Sequence, residues 1–214
     1  MIEHEVDTRQ RLLDAARAVF AEHGYRHATV REICQRAGAN VAAIHYHFGD
    51  KEALYLELFR ELGSQLLQRY PPNLGLGADA SVDERLFAFV HSFLLRILGD
   101  DAATSPGRLF AREMVEPTPV LDQMVEEIVR PLFKHLCGIV AELLGPSATP
   151  DEIVLCARSV VAQCVFYQHS RPVIERLSTP EPCTPERIRA LAEHITRFSL
   201  EGLRRGHGSA RSGA

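Results

Sequence analysis

The 214-residue chain has no run of about 18 apolar residues and no leading basic-then-apolar segment. No transmembrane helix is therefore expected, membrane partners are not called for, and the reading is a cytoplasmic protein. It has no C-x-x-C pair: Cys34, Cys137, Cys156, Cys164 and Cys183 are scattered and odd in number. That excludes a disulfide scaffold and a zinc ribbon, leaving small reduced core residues, with a redox-sensing thiol as the lesser reading. It also lacks an excess of positive charge. With 24 Lys and Arg against 28 Asp and Glu, the net charge of -4 gives no global attraction to nucleic acid, so any such binding needs a local patch. Nowhere does period-two alternation coincide with β-branched runs and hairpin turns.

What is present is helical periodicity. From Thr8, residues Leu12, Leu13, Ala16, Val19 and Phe20 recur on one face, and Gly24 marks a stop. Thr29-Val30-Arg31-Glu32 reads as a capping box opening a short helix to about Arg36. Gly38 closes it, Asn40 can cap about two turns from Val41 to His47, Phe48-Gly49 breaks these, and Asp50 caps a longer helix carrying Leu54, Tyr55, Leu58, Phe59, Leu62 and Leu66. After the interruption Pro71-Pro72-Asn73-Leu74-Gly75-Leu76-Gly77, helices are expected at about 82–98, 107–116, 120–144, 151–177 and 185–205. Kinks or splits are expected at Pro131 and Pro172. The fold class is all-α, with no internal repeat and a tail, 206–214, that reads as disordered.

The stretch Gly38 to Glu52, GANVAAIHYHFGDKE, concentrates the chemistry. A metal site would need His45 and His47 on one side. On a helix they lie about 200° apart, and the other histidines form no ligand-spaced group, so no metal and no cofactor are called for. Two short helices joined by a tight glycine turn instead fit a helix-turn-helix. Val41, Ala42 and Ala43 are small enough for close approach to base edges, and His45, Tyr46 and His47 carry polar tips for phosphate oxygens. Between residues 26 and 51, Arg26, Arg31, Arg36 and Lys51 outnumber Glu32 and Asp50. Lys51 in the first turn of its helix opposes the helix dipole, which a nearby phosphate would explain. A packed helical hairpin with incidental polar groups remains the plainer alternative.

The motif Thr29-Val30-Arg31-Glu32-Ile33, Ala37-Gly38, Ala43-Ile44-His45-Tyr46-His47-Phe48 and Lys51-Glu52-Ala53-Leu54 resembles the TetR family of bacterial one-component transcriptional regulators. The resemblance implies an N-terminal three-helix DNA-binding domain at 1–50 and a helical ligand-binding and dimerisation domain at 51–205, joined by a helix at 51–67. Carried over by position, the DNA-contacting set is Thr29, Arg31, Asn40, Val41, Ala42, Ala43, His45, Tyr46, His47 and Lys51. Family members more often have tyrosine where this chain has His45. Leu109 to Pro119 and Cys164-Val165-Phe166-Tyr167 further resemble the CecR (YbiH-type) subgroup, which implies a drug- or xenobiotic-responsive regulator.

In the C-terminal half, Glu113 shares a helical face with Leu109 and Phe110, where a carboxylate must be paired or meet a ligand. Gln163 and Tyr167 interrupt an apolar run, as in cavity walls and also in ordinary cores. Phe110, Glu113, Gln163 and Tyr167 are the candidate ligand-binding residues. Ile188, Leu191, Ile195 and Phe198 form a three-four-three stripe suited to a homodimer seam. The expectation is a homodimeric repressor on palindromic double-stranded operator DNA, released by a small apolar inducer, and not an enzyme. The alternatives are an all-α enzyme acting in the C-terminal cavity and a helical interaction module without DNA affinity.

Overall fold

The computed structural model describes residues 2–99, 106–177 and 182–209, and among these there are helices and no strand. The elements are α1 (Ile2–His27), α2 (Val30–Ala37), α3 (Val41–His47), α4 (Lys51–Arg69), α5 (Val82–Leu98), α6 (Pro106–Val115) and α7 (Leu121–Met124). A π turn (Val125–Val129) leads into α8 (Arg130–Leu144), followed by α9 (Pro150–His169), α10 (Arg171–Leu177) and α11 (Pro185–Ser209). None of the described helices is long and apolar enough to cross a membrane.

Local chemistry explains most boundaries. Thr29 Oγ1 accepts from the Glu32 amide at 3.2 Å, Asn40 Oδ1 from Ala43 at 2.9 Å, and Asp50 Oδ1 from Ala53 at 2.8 Å. Each satisfies a donor that the helix start leaves open. Gly38 ends α2 in the left-handed region (φ 62), and Ala39 donates back to Cys34 O at 2.9 Å. The reciprocal half of the box expected at Thr29 is not formed. Glu32 Oε1 lies instead against Arg36 (2.8 Å) and His23 (3.2 Å), since a guanidinium competes better for a carboxylate than one amide. Two complete boxes occur elsewhere, at Ser81/Glu84 and Thr149/Glu152.

The prolines act as expected. The π turn stops two residues before Pro131, whose missing N–H takes a donor out of the ladder, and α8 starts there with Pro131 in its first turn. Ser170 leaves helical geometry ahead of Pro172 and separates α9 from α10. α1 starts at Ile2 rather than near Thr8, and α11 continues to Ser209, four residues into the expected tail; residues 210–214 lie outside the described residues.

Packing divides the chain into two compact units. One comprises 1–65 with 101–128, the other 66–100 with 129–214. In the first, Leu12, Val19 and Phe20 of α1, Ile33 of α2, Ile44 of α3, and Leu54, Tyr55, Phe59 and Leu62 of α4 enclose a core completed by Leu109, Val120 and Met124. The last three come from α6, α7 and their connection. In the second, α5, α8, α9 and α11 bury Leu86, Val90, Leu94, Leu136, Val140, Val160, Cys164 and Ile195. Arg96, buried on α5, donates to the Ser92 hydroxyl and the Tyr70 carbonyl, both at 2.8 Å, placing a cation just beyond the C-terminus of α4. Cys34 and Cys164 are buried free thiols and Cys183 is exposed. Burial pushes the Cys164 thiol up to about 12, which makes it inert.

Gly24 bends α1 with φ 70 and ψ 171, a region open to glycine alone, and a Cβ there would meet the Arg112 guanidinium at 2.3 Å. Gly24→Ala is expected to lower stability by about 1–3 kcal/mol in urea denaturation. Gly138→Ala, inside α8 with open space at its Cβ, is the control and should gain about 0.5–1 kcal/mol.

Candidate nucleic-acid interface

The apolar side of α3 is one residue, Ile44, fully buried in the core of the first unit. That fixes the rotation of the helix and turns Asn40, Val41, Ala42, His45 and Tyr46 outward, with Tyr46 73 % and Val41 43 % exposed. Ala43 is half-buried and packs on the core, so Val41 and Ala42 carry the open part of the first turn. Thr29 and Arg31, at the start of α2, are exposed as well. The result is a small, nearly flat apolar tip bordered by hydroxyl, imidazole and guanidinium groups. Such a tip suits a major groove, where bulk blocks approach and polar borders meet phosphates.

α1 holds this pair of helices in place. Arg11 Nη1 donates to Ala37 O at 3.1 Å, a cation at the C-terminus of α2. Arg9 pairs with Glu57 of α4 and lies over the Phe48 ring, 5.4 Å from its centroid. Arg36 reaches both Glu22 and Glu32 at 2.8 Å. Sequence reading counted Arg36 toward a basic patch; here its charge is met by two carboxylates. Arg9 and Arg11 were missed, because helical spacing gives a side chain's face but not the turn across which it reaches.

Lys51 has a different environment from the one expected. Its Nζ sits 4.5 Å from the centroid of the Tyr25 ring, and burial lowers its pKa. The π face supplies the negative potential that a cation at a helix start lacks, so the placement of Lys51 is accounted for inside the protein and does not by itself call for a phosphate.

The four residues expected to line one ligand cavity fall in two units. Glu113, 0 % exposed, accepts from Tyr55 Oη at 3.2 Å through Oε2, and from the Thr118 amide and hydroxyl, both at 2.8 Å, through Oε1. The reason for expecting a ligand there, a carboxylate on an apolar face, is thereby answered by internal donors. Burial, and then the adjacent Glu113, raises the Tyr55 pKa far above its ordinary value, so the phenol remains a donor. The crevice lined by Tyr25, Arg26, Tyr55, Arg112, Glu113, Glu116 and Thr118 has a volume of about 10 Å³, room for one water molecule and not for a drug. Phe110 stands edge-on to Phe59, 4.8 Å between centroids, in the same unit.

In the second unit, Gln163 donates to Ser199 Oγ at 3.1 Å, tying α9 to α11, and Tyr167 packs half-buried against the core. The stripe expected to form the dimer seam splits: Ile188 and Ile195 are each 1 % exposed and belong to the unit's own core, Leu191 is partly buried, and Phe198 is 65 % exposed. Heptad-like spacing marks an apolar stripe without telling whether it faces the same chain or another. Among the described residues no group of three or more His, Cys, Asp or Glu is placed to hold a metal.

An all-helical chain with an N-terminal helix-turn-helix whose second helix presents an exposed small-residue tip is the architecture of a helix-turn-helix transcriptional regulator. Residues 12–58 match the family of bacterial regulatory proteins, tetR family, and residues 82–203 match the C-terminal domain of the HTH-type transcriptional dual regulator CecR. The chain belongs to the TetR family of transcriptional regulators, with a CecR-type C-terminal domain, and is not an enzyme. Among its relatives, the dual regulator CecR of Shigella flexneri is 28% identical over 180 residues, 78% of each chain. The repressor AcnR of Corynebacterium efficiens is 46% identical over 68 residues, 32% of this chain and 36% of that one. The crystal structure of FadR from Bacillus subtilis in complex with stearoyl-CoA shares the fold with a TM-score of 0.65 at 19% identity, covering 90% of this chain and 98% of that one.

Glu113→Ala leaves the Tyr55 hydroxyl and Thr118 amide without their acceptor in a buried site. It is expected to cost about 1.5–3 kcal/mol in chemical denaturation, with Tyr55→Phe less harmful because it removes the donor and leaves the carboxylate its two Thr118 bonds.

Proposed function

We propose that this chain is a homodimeric repressor that reads a palindromic operator with α3 and is released by a small, largely apolar ligand. The observation that carries it is the exposed tip of α3: Val41 and Ala42 open to solvent, bordered by Thr29, Arg31, Asn40, His45, Tyr46 and His47, above a single buried anchor, Ile44. Lys51 belongs to the same border as a cation held over Tyr25. Ala43 is a base-facing residue of lower reach than its two neighbours. Two copies related by a two-fold axis would set their α3 helices about 34–36 Å apart or somewhat more, one turn of B-DNA.

The dimer seam we assign to α9 and the outer side of α11. Leu155, Ser159, Ala162 and Phe166 are exposed or half-open at four-three-four spacing along α9, and Phe198 is exposed on α11, to which α9 is tied by Gln163. Ile188 and Ile195 support this seam from inside the core. The ligand reading rests on the family. FadR of Bacillus subtilis, with the same fold, is seen with stearoyl-CoA, so a largely apolar ligand is compatible with it. Phe110, Gln163 and Tyr167 are the residues we assign to the ligand's surroundings, and Glu113 acts as a fixed internal link rather than a ligand contact. A ligand shifts the equilibrium by as much as it prefers one state, typically about 1–3 kcal/mol, and bound operator must lower ligand affinity by the same factor.

Selection of duplexes from a random-sequence pool tests the DNA reading. A palindrome is expected, and no enrichment at any salt concentration would overturn it. On the selected duplex, Lys51→Ala should weaken binding to all sequences and reduce the salt slope by about one counterion, while Ala42→Leu should change which sequences are enriched.

Sedimentation separates the two readings of the seam. Phe166→Asp with Phe198→Asp is expected to give folded monomers that bind the duplex poorly, whereas Ile195→Asp should unfold the second unit, since a carboxylate cannot be accommodated at a position 1 % exposed. A double variant that stays dimeric would move the seam elsewhere.

A further inference from the structure

His45, near the end of α3, has its ring held by a bond to the backbone that follows the helix. Nδ1 lies 2.6 Å from the Gly49 carbonyl oxygen. The Gly49 amide returns a bond to His45 O at 3.1 Å and another to Ile44 O at 3.1 Å. Gly49 has φ 89, a conformation that suits glycine, so this small closed ring of bonds depends on the residue that ends α3. A carbonyl oxygen only accepts. Nδ1 is therefore the donor of this bond, and Nε2 is the ring atom left to face an outside partner.

Nε2 has no protein partner among the described residues, and the His45 side chain is exposed on the same border as Tyr46. Most of the charged and titratable groups on the elements packed around it have partners of their own. On α1, Arg9 pairs with Glu57 over Phe48, Asp7 pairs with Arg11 at 3.3 Å, and Arg11 also bonds Ala37 O. On α2, Glu32 and Arg36 bind each other along with His23 and Glu22, and Arg31 is exposed at the helix start. At the head of α4, Asp50 caps Ala53, Lys51 lies over Tyr25, and Glu52 is exposed. Within α3, His47 meets the edge of Tyr46 at 5.0 Å. No carboxylate is paired with His45, so the partner that would reward a proton on Nε2 has to come from outside the chain.

We propose that His45 makes DNA binding proton-linked: each protomer takes up a proton at His45 Nε2 when it docks on a phosphate. The inference rests on the DNA-binding reading above. Neutral, the locked ring presents a lone pair to a phosphate oxygen, two acceptors facing each other. Protonated, it presents an N–H and a positive charge, giving a charge-assisted bond. A tyrosine substituted at this position would donate its hydroxyl without titrating below about pH 9, so His45→Tyr would replace a conditional contact by a constant one.

The test uses the full chain and a duplex selected from a random-sequence pool, with affinity measured at constant ionic strength from about pH 5 to 8, where imidazoles titrate. Wild-type affinity is expected to fall as pH rises, by up to about ten-fold per pH unit for each protomer's proton. In His45→Tyr most of that slope should vanish, while His135→Gln, an exposed histidine of α8, should keep it. Imidazole nitrogen shifts in the free protein should show Nδ1 protonated and Nε2 titrating. A slope unchanged in His45→Tyr, or a neutral ring protonated at Nε2, overturns the inference while leaving DNA binding intact. Failure to select any duplex overturns the DNA-binding reading and this inference together.

Discussion

A carboxylate with no solvent exposure is the constraint on which the first unit depends. Glu113 sits on α6, yet its donors come from α4, through Tyr55, and from the turn after α6, through Thr118. Removing a carboxylate from water costs several kcal/mol, and only well-placed donors on both oxygens offset that. The three groups must therefore stay together. Around them run the aromatic contacts of the unit: Phe20 against Tyr55 at 4.5 Å, Tyr25 against Tyr55 at 4.9 Å, Tyr55 against Phe59 and Phe59 against Phe110, each at 4.8 Å. Lys51, in the first turn of α4, rests on the same Tyr25 ring. A displacement of α6 cannot leave Tyr55 where it is without leaving a buried charge short of a donor.

The chain passes from the first unit into the second twice, inside α4 between residues 65 and 66 and inside the π turn between 128 and 129. One crossing is a regular helix, stiff along its axis. The other is a five-residue turn of wider hydrogen bonding, a form that often marks functional positions in helices. The chain thus enters the second unit once through a regular α-helix and once through a π turn.

Local signals in the sequence were sufficient for the head. Thr29, Asn40 and Asp50 act on their own neighbours three residues on, and Gly38 on the residues just before it, so caps and stops could be read one segment at a time. The all-α class and the breaks at Pro131 and Pro172 were legible for the same reason. What escaped was every feature decided by a partner distant in the chain. Glu113 could be placed on an apolar face, but Tyr55 lies 58 residues away and nothing in the spacing announces it. Lys51 was assigned the right helix position, but its place over the Tyr25 ring was not legible, because Tyr25 belongs to another helix. Ile188 and Ile195 have the rhythm of a seam whether they meet a second copy or α5. Glu32 was given to a cap, when Arg36 and His23 offered it charge.

The contribution of 106–128 to the N-terminal core has an evolutionary consequence. The simplest exchange of the C-terminal part between relatives would be a single cut after the third helix. In this chain such a cut would detach Leu109, Val120 and Met124 from the core they complete and strand Tyr55 without its acceptor. The two units are interleaved along the chain, so a viable exchange must carry two separated segments at once, or find a recipient whose own sixth helix supplies a carboxylate at the same height. Drift of the sensor sequence is constrained by the same fact, since this short stretch inside it answers to the head.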